Sequence, residues 1–442
     1  MLLLASEYIA GRKQVGLDGM KPESATVPSG NGFDTLRLHR WRQFEDVDID
    51  FHPRLTVLTG ANASGKTTIL NLLGRHFNWQ SQFLAVPRRT RSGPLEWLAT
   101  YDEPDETISV ENMIKYVGEL RYWDGSEAQI AISKRADAEI DLSLPGSATV
   151  RGIYVSSHRT VGRYQKLATI PSEFSQVSLI HDQYWNEAIA RYSNSYTAKS
   201  PITSMKESLI AAATWGASTA DNEANVTAQR VWTEFQEALR LVLPDSFRFQ
   251  RLVIRSPELL IYTDSGEFLI DSASGGIASI IELTWQVYLR SWDSDNFTVC
   301  IDEPENHLHP SLQRSLIPGL LKAFPRITFI AATHSPFIVT SVADSNVYVL
   351  APSAEHDGKI ISTLLDTANK SGTADEILRR VLGVPTTIPI WAENQLQQLI
   401  DSLEGSSFAD KLRQIQDALT GLGFQDQFPA ALDALEDRET GA

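Results

Sequence analysis

The chain has 442 residues, 42% apolar and 21% charged, which is ample for a large core in one head or in two to three domains. A formal charge of −16 argues against a surface coated in basic residues for nonspecific nucleic-acid binding, although a local groove can still be positive. The single cysteine, Cys300 in the apolar run FTVCI, excludes a disulfide framework and a thiolate metal cluster, and reads as a small buried residue.

In chain order, residues 1–34 (GMKPESATVPSGNG and its surroundings) read as a flexible leader. The start, MLLLASEY, lacks a basic n-region, and no apolar run reaches membrane-spanning length, so a cytoplasmic protein with no membrane partner is expected. From Thr35, TLRLHRW and VDIDF alternate as a pair of strands. They lead into LTVLTG and then GANASGKTT, Gly60 to Thr68.

Gly60, Gly65, Lys66 and Thr67 meet the GxxxxGK[ST] spacing of a phosphate-binding loop, between a β-rich run and a helical pattern (Ile69, Leu70, Leu72, Leu73). The glycines let successive N–H groups turn around a phosphate, and the following helix aims its positive end at the same anion. Asn62, Ser64 and Thr68 belong to this cradle; Lys66 is expected to neutralise the β and γ phosphates of ATP, and the Thr67 hydroxyl to hold Mg²⁺.

Beyond that helix, PRRTRSGP (Pro87 to Pro94) reads as a solvated basic loop or a phosphate-backbone contact. Residues 107–150 carry short alternating runs with Asp-Gly and Pro-Gly turns, an expected antiparallel β subdomain. VRGIYVSS looks like a core strand ending at His158 and Arg159. Residues 160–245 form an expected inserted helical lobe, without the sustained heptads of a coiled-coil arm. Two strands, FRFQRLVIR and ELLIYTD, then reach ASGGI, where Ser274, Gly275 and Gly276 open a long apolar helix, either as a plain cap or as a second backbone anion site.

Phe297 to Pro310, FTVCIDEPENHLHP, is an apolar strand ending in two carboxylates. A buried parallel strand delivers such groups beside the phosphate loop, so Asp302 is a candidate Mg²⁺ ligand and Glu303 a candidate base for the attacking water. ITFIAATHSP is again an apolar strand, ending in His334, which is expected on the neighbouring strand facing the γ-phosphate. Past residue 350 the amphipathic runs read as a small helical region over 351–442, whose apolar faces serve either its own core or a partner surface. No acidic strand end of a TOPRIM nuclease and no His/Cys cluster is found there.

The order phosphate loop, insertion, Ser-Gly-Gly helix, carboxylate strand and histidine strand resembles the ABC-type ATPase heads of the SMC, RecF and OLD group over about residues 35–350. The HLHP and THSP wording is similar to bacterial anti-phage defence ATPases of the PtuA and AriA kind. The resemblance implies an α/β fold, with a RecA-like core sheet, an antiparallel β subdomain, a helical lobe and a C-terminal helical bundle. It casts Gly60 to Thr67 as Walker A, Ser274 to Gly276 as the signature, Asp302 and Glu303 as Walker B, and His334 as the switch histidine. RWRQF (Arg40 to Phe44) resembles the Asn-Phe-Arg-x-Phe segment of those heads, which makes Arg42 a nucleotide-contact candidate. Two departures are Ile277, where transporters usually carry Gln, and His158 and Arg159 in place of a Q-loop glutamine.

The resemblance further implies an ATPase (ATP and water to ADP and phosphate, Mg²⁺-dependent) whose signature completes the site of a second copy. That copy would be arranged head-to-tail, with a higher homo-oligomer open. The expected role is to sense or scaffold, and so control a separate nuclease or toxin effector in anti-phage defence; DNA or a phage protein is a candidate trigger. The alternatives are a RecF/SMC-like DNA repair ATPase that clamps DNA and a transporter nucleotide-binding subunit.

Overall fold

The computed structural model describes most of residues 31–366, the exceptions longer than two residues being 90–94, 99–113, 158–163 and 219–222, and beyond them mainly residues 372–382 and 408–422. Residues 1–30 of the leader expected over 1–34, together with His158, Arg159 and most of the basic segment ending at Pro94, lie outside the described residues. The leader's last two residues, Phe33 and Asp34, instead open the strand Phe33–Trp41, because the buried Phe33 ring belongs to the core. No helix among the described residues is long and apolar enough to cross a membrane.

The apolar runs that read as buried strands are the centre of the molecule. Leu55–Thr59, Thr298–Asp302 and Thr328–Thr333 are buried at every position. They pair in parallel in the order Gly152–Val155, Thr298–Asp302, Thr328–Thr333, Leu55–Thr59, Asn346–Pro352. Strands covered on both faces need apolar side chains in both directions, which is why they show continuous runs and not alternation. Val57, Val299, Ile301 and Phe329 face one core, while Leu58, Cys300, Ile330 and Ala332 face the other. Cys300 is accordingly fully buried, and burial pushes its thiol far above the ordinary range.

Helices Val177–Tyr192, Pro201–Gly216, Val226–Val242 and Gly275–Ser291 build the first core, with Phe235 packed edge-on to Trp285 at 4.9 Å between ring centres. Truncating either fully buried ring would cost about 3–5 kcal/mol. The phosphate-loop helix, Lys66–Gly74, packs Ile69, Leu70, Leu72 and Leu73 into the second core.

The strands expected as a β subdomain over 107–150 continue this same sheet edge-on. Phe33–Trp41 pairs with Phe44–Asp50 on one side and with Ile114–Tyr122 on the other, and Glu127–Ser133 and Leu142–Ser143 follow. The result is one eleven-stranded sheet with a shared second core. The segment past residue 350, read from sequence as helical, begins instead with a strand, Ile360–Leu364. This strand bridges Asn346–Pro352 (antiparallel) and Phe44–Asp50 (parallel) and thereby joins the parallel and antiparallel halves of the sheet. Helical structure follows at Ala374–Glu376 and Ile377–Val381 and again at Phe408–Leu422, where Ile415 and Leu419 are buried.

Candidate functional site

Parallel pairing brings the carboxyl ends of three strands to one edge, the position where open α/β sheets hold ligands. Thr59 is level with Thr333, and Asp302 is level with Ala332. The chain therefore places Gly60, Glu303 and His334 immediately beyond that edge.

The loop from Gly60 to Thr67 holds its shape through two glycines. Gly60 has φ +141° and lies against the Leu350 carbonyl; Gly65 has φ +97° and lies against the Phe44 ring; a Cβ at either position would collide. Phe44 and the Gln43 amide thus press the turn that carries Arg42 onto the phosphate loop, which is where the structure puts that candidate. Lys66–Gly74 has Gly65 at its N-cap with no side-chain cap and no acidic residue in its first turn. By contrast, Ser200, Asn225 and Ser274 each cap their own helices through the side chain. A helix start left uncapped at the sheet edge presents free N–H groups and a positive dipole end to an anion.

Lys66 is buried and folds back over the loop, donating to the carbonyls of Gly60 (3.0 Å) and Ala61 (2.9 Å) and to Ser64 Oγ (3.4 Å). Burial lowers its ammonium to about 8, against the opposing pull of Asp302, Glu303 and Glu305. Asn62 is exposed at the tip of the loop, and Thr68 is half-buried in the first helical turn.

Thr67 Oγ1 donates to the Asp302 carboxylate, 3.1 Å from each oxygen, although a strand separates their two strands; the helix after the loop crosses over to make the contact. Asp302 is 4% exposed, and its carboxyl is pushed up to about 6, first by burial and then by Glu303, against the Thr67 hydrogen bond and Lys66. A hydroxyl and a buried, hard carboxylate oxygen donor fit Mg²⁺, which takes few protein ligands and keeps water and phosphate oxygens around it.

Glu303 adopts φ +47°, a conformation costly for a residue with a side chain and characteristic of functional sites. Its carboxylate accepts from Asn306 Nδ2 (2.8 Å) and lies 3.8 Å from His334 Nε2. Asn306 Nδ2 also donates to the Ser157 carbonyl at 3.1 Å, which ties the Glu303 loop to the end of the edge strand. His334 is partly exposed, contacts the Gly60 carbonyl, and is held below the ordinary histidine range by burial and by Lys66.

Two residues here were not singled out from sequence. Glu305 Oε1 accepts from Thr333 Oγ1 (2.7 Å), His334 N (2.6 Å) and Ser335 N (3.1 Å), fixing the turn that carries His334. It stands in the DEPE run, but nothing in local spacing says that the run's third carboxylate caps a neighbouring strand. Asn306 is the other; only the approach of Ser157 reveals it.

Ser274, Gly275 and Gly276 are placed differently. Ser274 is exposed, its side chain accepts from Ile277 N at 3.5 Å, and its carbonyl bonds Ala278; these bonds stay within its own helix. Gly276 packs under the His307 carbonyl, so the helix start abuts the loop after the carboxylates. No described hydrogen bond or ion pair joins Ser274 to Gly60–Thr67, Asp302, Glu303 or His334.

Two family models match the chain: "AAA domain, putative AbiEii toxin, Type IV TA system" over residues 163–340 and "AAA domain" over residues 35–82. Septu protein PtuA of Bacillus mycoides (strain KBAB4) is 33% identical over 101 residues, 22% of this chain and 14% of that protein. Retron Ec83 probable ATPase of Escherichia coli is 46% identical over 52 residues, 12% of this chain and 10% of that protein. The chain thus spans well under two thirds of these relatives' lengths. A solved Smc head domain with an extended coiled coil from Pyrococcus furiosus, bound to the C-terminal domain of ScpA, has a TM-score of 0.42 at 13% identity, covering 80% of this chain and 100% of that one. The chain is an ABC/AAA-type P-loop ATPase related to the RecF proteins and to the PtuA and retron ATPases.

Proposed function

We propose that the chain hydrolyses ATP with Mg²⁺ at the sheet edge, and that ATP closes two copies head-to-tail to control a separate effector in anti-phage defence. The observation that carries the reading is the convergence of Lys66, Thr67, Asp302, Glu303 and His334 at the ends of adjacent parallel strands. The uncapped helix start and Lys66 bind the phosphates; the ammonium exchanges its loop carbonyls for β and γ oxygens. Bound by Thr67 and Asp302, Mg²⁺ would neutralise charge on those oxygens. Glu303 orients the attacking water and takes its proton as the new bond to the γ-phosphorus forms and ADP leaves. His334, held by Glu305 and touching Gly60, fixes the Glu303 carboxylate relative to the loop.

Ser274 to Gly276 serve the partner copy: an exposed helix start whose bonds stay within its own helix is available to a γ-phosphate outside its own chain. ATP state then becomes subunit geometry, which the effector reads. The likeness to PtuA and retron ATPases supports the defence setting. The test is Glu303→Gln with Mg·ATP in analytical ultracentrifugation: a nucleotide-retaining dimer is expected. A monomer, or hydrolysis at the unmutated rate, refutes the reading. Likeness to RecF of Lactococcus lactis, 31% identical over 74 residues, favours a second reading, a DNA clamp, which salt-sensitive stimulation of hydrolysis by duplex DNA would reveal.

A further inference from the structure

The strongest group outside the nucleotide site is a lysine in the helical lobe. Lys206, in helix Pro201–Gly216, is fully buried, with no exposed side-chain surface. Its ammonium lies 2.6 Å from Asp271 Oδ2 and 3.2 Å from Glu258 Oε2, and the Asp271 side chain is itself only 2% exposed. The Tyr164 ring covers it at 5.3 Å, Tyr164 Oη donates to Glu258 Oε1 (2.8 Å), and the Gln165 carbonyl accepts from the ammonium at 3.5 Å. A charge so deeply buried is costly unless it is paired, and removing one partner leaves the other stranded. The sequence around Lys206, ITSMKESLI, gives no sign of this, because its partners come from distant parts of the chain.

The position of Asp271 gives the cluster its meaning. It lies in the single turn Ile270–Ser272, directly before Ser274 and the helix that Ser274 caps. Glu258 begins the strand Glu258–Thr263, whose hairpin partner Gly266–Leu269 runs into that turn. One ammonium therefore fastens the lobe helix to both the start of the hairpin and the turn that presents Ser274. Gly276 fixes the other side of the same helix start against His307.

We infer that Lys206 is a positioning residue: through Asp271 and Glu258 it sets the height and angle at which Ser274–Gly276 reaches the ATP of a second copy. This rests on the head-to-tail reading of the preceding section. It makes no contact with the chain's own nucleotide, so its loss spares ATP binding and impairs only the site that the signature completes.

The test is a subunit-mixing assay. Lys206→Met alone leaves Asp271 charged and buried, so Lys206→Met/Asp271→Asn is made beside it, with Lys206→Arg as the conservative variant. All are checked for folding by thermal melt and for binding of a fluorescent ATP analogue. The expected result for the double variant is unchanged analogue affinity and a kcat reduced at least tenfold. Lys206→Arg should restore most of the rate. Mixing the double variant with Glu303→Gln before ATP is added should recover hydrolysis, because the Glu303→Gln copy supplies an intact signature to the variant's intact phosphate loop. A folded double variant with unmutated kcat overturns the inference, and so does failure of mixing to recover activity. A parallel mixture of Ser274→Arg with Glu303→Gln separates the two claims. If that pair also fails to recover, the head-to-tail reading is at fault; if it recovers while the Lys206 pair does not, the positioning role is.

Discussion

Replacing Asp302 by Asn should stabilise the nucleotide-free protein while disabling it. The carboxyl is buried and its pKa is raised from 3.8 to about 6, chiefly by burial. A group whose folded pKa lies above its unfolded value contributes stability below the unfolded pKa and loses it as pH rises through the folded one. At pH 7 the ionised Asp302 therefore costs about 3 kcal/mol relative to a neutral isostere. Asn keeps an oxygen to accept from Thr67 Oγ1, now 3.1 Å from each Asp302 oxygen. For a chain of 442 residues this gain corresponds to a rise in Tm of about 3 °C. Thermal melts in EDTA across pH 4 to 8 would read it: the variant should exceed the parent at pH 7, and the two should converge as pH falls through 6 towards 4. Mg·ATP should stabilise the parent more than the variant, since ligand binding to the folded state adds in proportion to affinity. A variant no more stable than the parent at pH 7, with no convergence on acidification, would refute the account of Asp302 as a charge held for a cation.

Three further outcomes follow from the same geometry. In kcat/KM, which reports the free enzyme, activity should fall below about pH 6 as Asp302 takes up a proton and above about pH 8 as Lys66 loses one; a flat profile from pH 5.5 to 9 contradicts this. Lys66→Ala should abolish binding of a fluorescent ATP analogue, and retained affinity within threefold would show that the loop lysine is not the phosphate ligand. Glu305→Ala removes the acceptor of His334 N, Ser335 N and Thr333 Oγ1, and should lower kcat by roughly tenfold or more with analogue affinity little changed, an effect of misplacing a catalytic neighbour.

The phosphate loop, the two carboxylates and the histidine were legible in the sequence because each is local. A glycine spacing marks the turn, and a short, largely apolar, β-branched run such as TVCID or TFIAAT reads as a strand covered on both faces, with its polar end at the rim. What lay beyond reach depends on long-range pairing, which residue spacing does not encode. Ile360–Leu364 is a strand because an open sheet edge accepts it between Asn346–Pro352 and Phe44–Asp50. The strands from Ile114 onward join the main sheet because Phe33–Trp41 has a free edge to offer them. Glu305 and Lys206 are ordinary exposed-type residues by composition, and only folding sets one under the histidine turn and the other beneath the Ser274 helix. By itself, then, the sequence determined which polar side chains stand at the ends of the strands. The tertiary structure alone decided which distant side chains hold those ends in place, since burial and pairing arise only when the separate segments meet.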